Sequence, residues 1–551
     1  MAENDKESVV SNMPKYPFLT MDFSPRGGGI DFLGLRYVNL HMVGNYLIPE
    51  LNNVTRDMGI FFLGAWVPWK FRQLSGEDNF TPKQYRAFRE KAEVAISLNM
   101  RDEAPAAQKF GNTRNRVGVT QNCRLPGPLT FKAASRRPQN SFYAAAIYGP
   151  ALVALHCVDS YDVRARDGVY LNIATASPDP DTRTIVETVD AALRESDAYD
   201  KLASLEDEAF TEEEVDELGR NGLAPPCYRH QRFNALKPLF QKKLLPADAN
   251  ARGYARTRTT RLLLATLEQH DGQTSDEIRN AWYTGHFGDG SVLRLADEDL
   301  EDMRQYWSHF MARQYQRYAI ELMLWCFETA LVNGCRSIEE AVDYWVTRSH
   351  DAGQALPVTF RQMIDDVAGK LKKDDDQATS RAWNDSVHGE HERFEFVYEA
   401  HGDEGCVHAL RMCAGWYWRM LRWDNSGPYK HLMTLGDSDR MSMSWFIEWL
   451  QKRQELPIRD FLKDVFSDLV FSQHMRIALS RFDGRAQRLR FVLGDNGIEA
   501  TVSARGDLGN LRLPWMPDRL DTLIELLCDV DVLKLDENGV VSLGRRASGV
   551  K

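Results

Sequence analysis

The side chains best suited to chemistry gather between positions 388 and 413, where His388, His391, His401, Cys406, His408 and Cys413 share a short span. Imidazole and thiolate are the donors that zinc prefers, and four of these six could close a coordination sphere. The spacing matches no zinc finger. His388-Gly389-Glu390-His391 also lacks the glutamate that a His-Glu-x-x-His hydrolase sets directly after its first histidine. The set therefore defines an alternative, a metal-dependent hydrolase or nuclease holding zinc. The simpler expectation is surface histidines near a loop, buried cysteines in the following helix, and no cofactor.

Arginines form the second pattern. Arg481, Arg485, Arg488 and Arg490 precede the last helix and hairpin, while Arg252, Arg256, Arg258 and Arg261 open an earlier helix. Guanidinium groups so clustered suit phosphate. The last helix, however, carries Asp518, Asp521, Glu525 and Asp529, which repel DNA. Helix followed by strand-turn-strand is the closing half of a winged helix, and this unit is expected to serve protein docking or internal packing ahead of DNA contact. For the 252–261 patch, surface salt bridges are the expectation ahead of phosphate.

Other chemistries find no support. Gly27-Gly28-Gly29 is followed by neither Gly-Lys-Ser/Thr nor dinucleotide spacing, so it reads as a glycine turn. Gly436-Asp437-Ser438 resembles the start of a serine esterase block but precedes a helix with Trp445 and Trp449, where a cap is expected. His270-Asp271 and His350-Asp351 are isolated dipeptides, and no Gly-x-Ser-x-Gly elbow or nuclease-type acid pair occurs. No catalytic residue is assigned.

The elements that must position these groups are mostly helices. Thr81-Pro82-Lys83-Gln84 and Thr211-Glu212-Glu213-Glu214 have the spacing of capping boxes, and Ser337-Ile338-Glu339-Glu340 caps another helix. The strongest helical period runs over 299–332, through Met303, Trp307, Phe310, Tyr318, Leu322 and Trp325 to a stop at Asn333-Gly334. Further helices are expected at 407–422, 443–453 and 458–482. Then the period changes: residues 489–493 and 498–502 read as strands joined at Asp495-Asn496-Gly497. A helix over 518–530 precedes a second hairpin about Asp536-Glu537-Asn538-Gly539. The polar stretch 101–137 reads as loop, and Lys372-Lys373-Asp374-Asp375-Asp376-Gln377 as an exposed linker.

The whole chain bounds these readings. At 551 residues it suggests about three or four domains at roughly 150 residues each. A hydrophobic share of 43% and a charged share of 27% are those of a folded globular protein, while a net charge of −11 argues against coating nucleic acid or anionic membrane with the whole surface. The acidic, polar start directs no secretion, which makes the cytoplasm the expected compartment. The uncharged run 142–158, interrupted by Gly149-Pro150, is expected as a buried hairpin or broken core helix, not a membrane span. Eight scattered cysteines without a CxxC are expected as reduced, mostly buried thiols.

Gly34-Leu35-Arg36-Tyr37-Val38-Asn39-Leu40, residues 48–55, Tyr148-Gly149-Pro150-Ala151-Leu152, Phe461-Leu462 and Gln473-His474-Met475-Arg476-Ile477-Ala478-Leu479 resemble a group of bacterial proteins found among mobile and anti-phage defence gene sets. The resemblance covers parts of both ends and little of the middle. It carries no catalytic residues. It implies a non-catalytic partner of a nuclease, helicase or other ATPase in a multi-subunit system.

The combined expectation is a mainly α, multi-domain protein with minor β. Its parts would be a mixed N-terminal domain at 1–165, helical domains at 166–370 and 371–484, and a winged-helix-like α/β unit at 485–551. Its function would be that of a scaffold, adaptor or sensor subunit binding protein partners, with DNA contact as a further property and no membrane association.

Overall fold

The computed structural model describes residues 31–76, 81–99, 148–162, 165–166, 169–170, 173–206, 210–218, 221, 231–371, 404–422, 429–480, 489–501 and 516–550. The chain is mainly helical with a few small antiparallel sheets. It divides into two compact units, Glu50–Lys243 with Met1–Gly29, and Ile30–Pro49 with Leu244–Lys551. The expected 101–137 loop, the 372–377 linker and Gly27-Gly28-Gly29 lie outside the described residues.

In the first unit, Asp57 caps the helix Met58–Ser75 by accepting the Gly59 N–H at 2.6 Å, and the helix buries Phe61, Phe62, Trp66 and Phe71. Burying each such side chain is worth roughly 1.5–3 kcal/mol. The capping boxes form as their spacing predicts. Thr81 Oγ1 accepts the Gln84 N–H while Gln84 Oε1 accepts the Thr81 N–H, and Thr211 and Glu214 exchange the same two bonds. From Tyr148 onward the 142–158 run is a short helix, Gly149–Ala154, that breaks into the strand Val158–Asp162, paired antiparallel with Ile173–Ala176. Among the described residues, no helix is long and apolar enough to cross a membrane.

The second unit is built on the helix Glu298–Val332, 35 residues long. Asp297 caps it by accepting the Asp299 N–H at 2.9 Å, acidic Glu298, Asp299 and Glu301 sit at its positive end, and Gly334 at φ 104° stops it. Side chains on every face of its middle are buried, as in a helix enclosed on all sides. The helices Tyr254–Gln269, Ser275–Thr284, Ile338–Asp351 and Gly405–Met420 pack against it. At Ser337 the hydroxyl accepts the Glu340 N–H, but the Glu340 carboxylate takes the Arg336 N–H. The expected 458–482 helix runs from Ile458 to Ser480 with a π-helical middle, Val465–Ser472. The wider turns let Phe466, Leu469 and Val470, and then Gln473 and His474, all face inward.

Both expected hairpins are present. Phe491–Gly494 pairs with Gly497–Ala500 as a separate two-stranded sheet. Leu533–Leu535 pairs with Val540–Leu543, which lies in the middle of a three-stranded sheet whose other edge is Gln273–Thr274, far earlier in the chain.

Candidate functional site

The eight arginines separate by position. Arg481, Arg485 and Arg488 lie outside the described residues. Arg490 is 1% exposed; its Nε and a terminal nitrogen donate to the two Glu328 oxygens at 2.7 and 2.8 Å, and its guanidinium lies 4.6 Å from the centre of the Phe32 ring. It faces a buried carboxylate and not solvent. The Arg490 N–H donates to His474 Nε2, and His474 Nδ1–H donates to the Phe32 carbonyl, so these partners fix the tautomer. Burial holds His474 down at about 4.

On the helix Tyr254–Gln269, Arg256 is also 1% exposed and donates to the carbonyls of Leu244 and Pro49, each at 2.7 Å. Thr259 and Arg519 take the carbonyls of Leu47 and Ile48. These donors satisfy the end of the π-helical turn Val43–Leu47 where it leaves its own hydrogen bonding. Arg258 pairs with Asp299 at 2.8 Å and Asp302 at 2.5 Å; burial works against its charge, but the two carboxylates outweigh it and raise its pKa. Arg261 reaches Asp297 at 3.0 Å and Asp299 at 3.4 Å. Arg252, just before the helix, is the exposed member of the four. Of the expected salt bridges, those of Arg258 and Arg261 form and tie this helix to the acidic start of Glu298–Val332, while Arg256 holds backbone carbonyls instead.

Of the six candidate metal ligands, His388, His391 and His401 lie outside the described residues. Cys406, His408 and Cys413 all sit on the helix Gly405–Met420 and are buried. His408 Nε2 is 3.1 Å from Glu404. Burial pushes Cys413 up to about 12, which keeps its thiol protonated, and burial with the neighbouring Cys406 raises Cys326. Among the described residues, no group of three or more His, Cys, Asp or Glu is placed to hold a metal ion.

The remaining dipeptides have structural partners. Asp271 Oδ1 accepts the Leu543 N–H at 3.1 Å, and His270 Nδ1 meets Gln273 at 2.9 Å, so this pair fastens the last strand. His350 and Asp351 are exposed at a helix end. Gly436 and Asp437 take φ of 91° and 43° in a tight turn, and the cap of the helix Met443–Arg453 is Ser442, which accepts the Trp445 N–H. Asp439 in that turn pairs with Arg476 at 2.8 Å.

One constellation escaped sequence reasoning. Arg279, on Ser275–Thr284, donates from Nε and a terminal nitrogen to the two Asp518 oxygens at 2.6 and 2.9 Å, and the side chains are 7% and 1% exposed. Asp276 and Asp521 lie at 2.8 and 3.2 Å from the same guanidinium. The group is held above its ordinary value: burial opposes the charge and Asp518 outweighs it. A local signal marked the helix itself, since Thr274 and Glu277 form a capping box of both reciprocal bonds. Around this joint Asp276, Glu277, Asp536 and Glu537 are exposed, as are Lys534 and Arg545, and Asp521 and Glu525 are half-buried. No protein-family model, curated protein or solved structure matches this chain.

Proposed function

We propose that the chain is a non-catalytic scaffold, adaptor or sensor subunit of a cytoplasmic, multi-protein bacterial complex of the anti-phage defence kind, partnered with an ATPase, helicase or nuclease subunit. The helix Leu520–Asp529 and the hairpin behind it are read as a winged-helix-like unit that docks protein. One observation carries this choice: Asp536 and Glu537 are exposed at the tip of the hairpin, with Lys534 as its exposed base. Such a surface repels phosphate and complements a cationic protein. The helix supports the same reading, because Thr522, Leu526 and Asp529 are buried and it offers no bare face to a groove. DNA contact, where it occurs, belongs to Arg481, Arg485 and Arg488, with exposed Arg252 as an accessory.

The test is affinity capture from the native host with the wild-type chain and with Asp536→Lys/Glu537→Lys. A specific partner retained by the wild type, and weakened at least tenfold by charge reversal, is expected. Equal capture by both would remove the hairpin as a docking surface, and stoichiometric zinc with hydrolytic turnover in the purified chain would replace this reading with the metal-dependent one.

A further inference from the structure

We infer that the winged-helix-like unit is split, with its first half at residues 254–284 and its second at 516–543, and that the two halves form a clasp that opens and closes as one cooperative unit. The inference deepens the docking-unit reading above and rests on it. Helix Tyr254–Gln269, strand Gln273–Thr274 and helix Ser275–Thr284 supply helix, strand and helix. Helix Leu520–Asp529 and strands Leu533–Leu535 and Val540–Leu543 supply the third helix and the hairpin. The sheet order puts the last strand between the other two, with all pairs antiparallel. A sheet with the first strand on one edge and the hairpin closing the other is the winged-helix layout. The intervening helices, Glu298–Val332 among them, are then an insertion between its second and third helices.

The joint between the halves combines a short strand contact with a buried charge pair, and the second half buries Leu520, Leu523, Leu527, Val532 and Val541 completely. Two residue pairs, Gln273 with Val541 and Thr274 with Val540, make the strand contact, and Asp271 adds one bond to Leu543. Arg279 and Asp518 supply the buried charge pair, and Asp518 Oδ1 also accepts the Leu520 N–H, so one carboxylate both starts the third helix and holds the second. A ladder two pairs long contributes little by itself. Removing Asp518 takes from Arg279 its one fully buried carboxylate and leaves it the more exposed Asp276 and Asp521, while removing Arg279 takes the guanidinium from a buried carboxylate; either change loosens the clasp more than loss of a surface pair. Segment 516–519 also touches the inserted part, where Gln314 donates to the Met516 carbonyl at 2.8 Å, and the stretch Ile30–Pro49, where Arg519 donates to the Ile48 carbonyl at 2.8 Å. A partner bound to the acidic hairpin therefore pulls on a segment anchored to the central helix, as a sensor requires.

The experiment is hydrogen exchange on the full chain, comparing wild type with Asp518→Asn. Amides of 273–284, 520–529 and 533–543 are expected to exchange faster together, on the order of a hundredfold, while 310–330 and 405–420 keep their protection. Faster exchange in 516–543 alone, or throughout the second unit, would overturn the clasp. Should Asp518→Asn not fold, wild type in rising sub-denaturing urea serves: both halves should share one opening slope, and two distinct slopes would sink the idea. Loss of the capture result with a shared slope removes the docking reading and leaves the clasp standing.

Discussion

Arg490 and Glu328, 162 positions apart, meet through two parallel hydrogen bonds with side chains 2% and 1% exposed. In such a place each charge depends on the other, because each ion has given up its water. Glu328→Gln, which leaves the guanidinium buried without its counter-charge, should cost about 3–5 kcal/mol in urea unfolding. Glu328→Leu with Arg490→Met should recover much of that loss, and a double variant as unstable as the single one would show that the pair does not act as a unit.

The basic segment ahead of this residue has a different expected role. If Arg485 and Arg488 touch phosphate, Arg485→Ala/Arg488→Ala should weaken DNA binding and reduce the salt slope by about one for each phosphate given up. Arg256→Ala should instead lower stability without changing the slope, since its donors serve the Leu244 and Pro49 carbonyls. Superimposable salt curves for wild type and the Arg485/Arg488 variant would remove that segment from nucleic-acid binding.

Acid should destabilise the second unit through two buried imidazoles. Burial holds His309 and His474 at about 4, below the ordinary 6.5; Gln305 and Phe32 carbonyls oppose this, and neighbouring cations reinforce it. The unfolded chain takes up these protons first, so the stabilisation is complete above 6.5 and drains away between 6.5 and 4. Each site contributes up to about 3 kcal/mol across that window. The melting temperature should fall steadily from pH 7 to 5, and His474→Gln, though less stable at pH 7, should flatten the fall. A variant with the wild-type slope would exclude His474 from it.

Local elements were legible and distant joints were not. The caps at Thr81, Thr211 and Ser337 and the turns at Asn496-Gly497 and Asn538-Gly539 are written in neighbouring residues, and each formed at its expected place. Gln273–Thr274 is two residues long with no alternating apolar pattern, so nothing local announces a strand whose partner lies at Val540 and Val541. The arginines fail differently. Spacing groups Arg252, Arg256, Arg258 and Arg261 as one basic entrance, but whether a guanidinium meets water, a carboxylate or a carbonyl depends on segments such as 47–49 and 297–302 that fold against it.

In the first unit, Asp190 gathers Trp66 Nε1 at 3.1 Å, the Tyr199 hydroxyl at 2.7 Å, Arg194 Nε at 2.9 Å and Lys70 at 3.4 Å. Burial raises its pKa, but these donors outweigh it and hold the carboxyl below its ordinary 3.8. Its contribution is therefore present above 3.8 and lost as pH falls through the lower folded value. Asp190→Ala strands buried Lys70 and two buried donors and should cost about 3–5 kcal/mol, read by unfolding with tryptophan fluorescence. A loss under about 1 kcal/mol would mean that water replaces the carboxylate there.

Gly497 and Gly539 close the two hairpins with φ of 106° and 79°, yet only the first is crowded. A Cβ on Gly497 would lie 2.4 Å from the Arg336 carbonyl oxygen, which accepts the Ile498 N–H at 2.7 Å, whereas a Cβ on Gly539 meets nothing within 4 Å. Both alanine variants bear the left-handed strain of about 1–2 kcal/mol. Gly497→Ala must also push the hairpin off the end of the central helix, where Phe491 packs edge-on against Phe327 with ring centres 5.4 Å apart. Chemical denaturation should therefore show Gly497→Ala less stable than Gly539→Ala by at least about 1 kcal/mol. Equal losses would mean that Arg336 yields freely and that this hairpin is not fixed by its packing on the helix end.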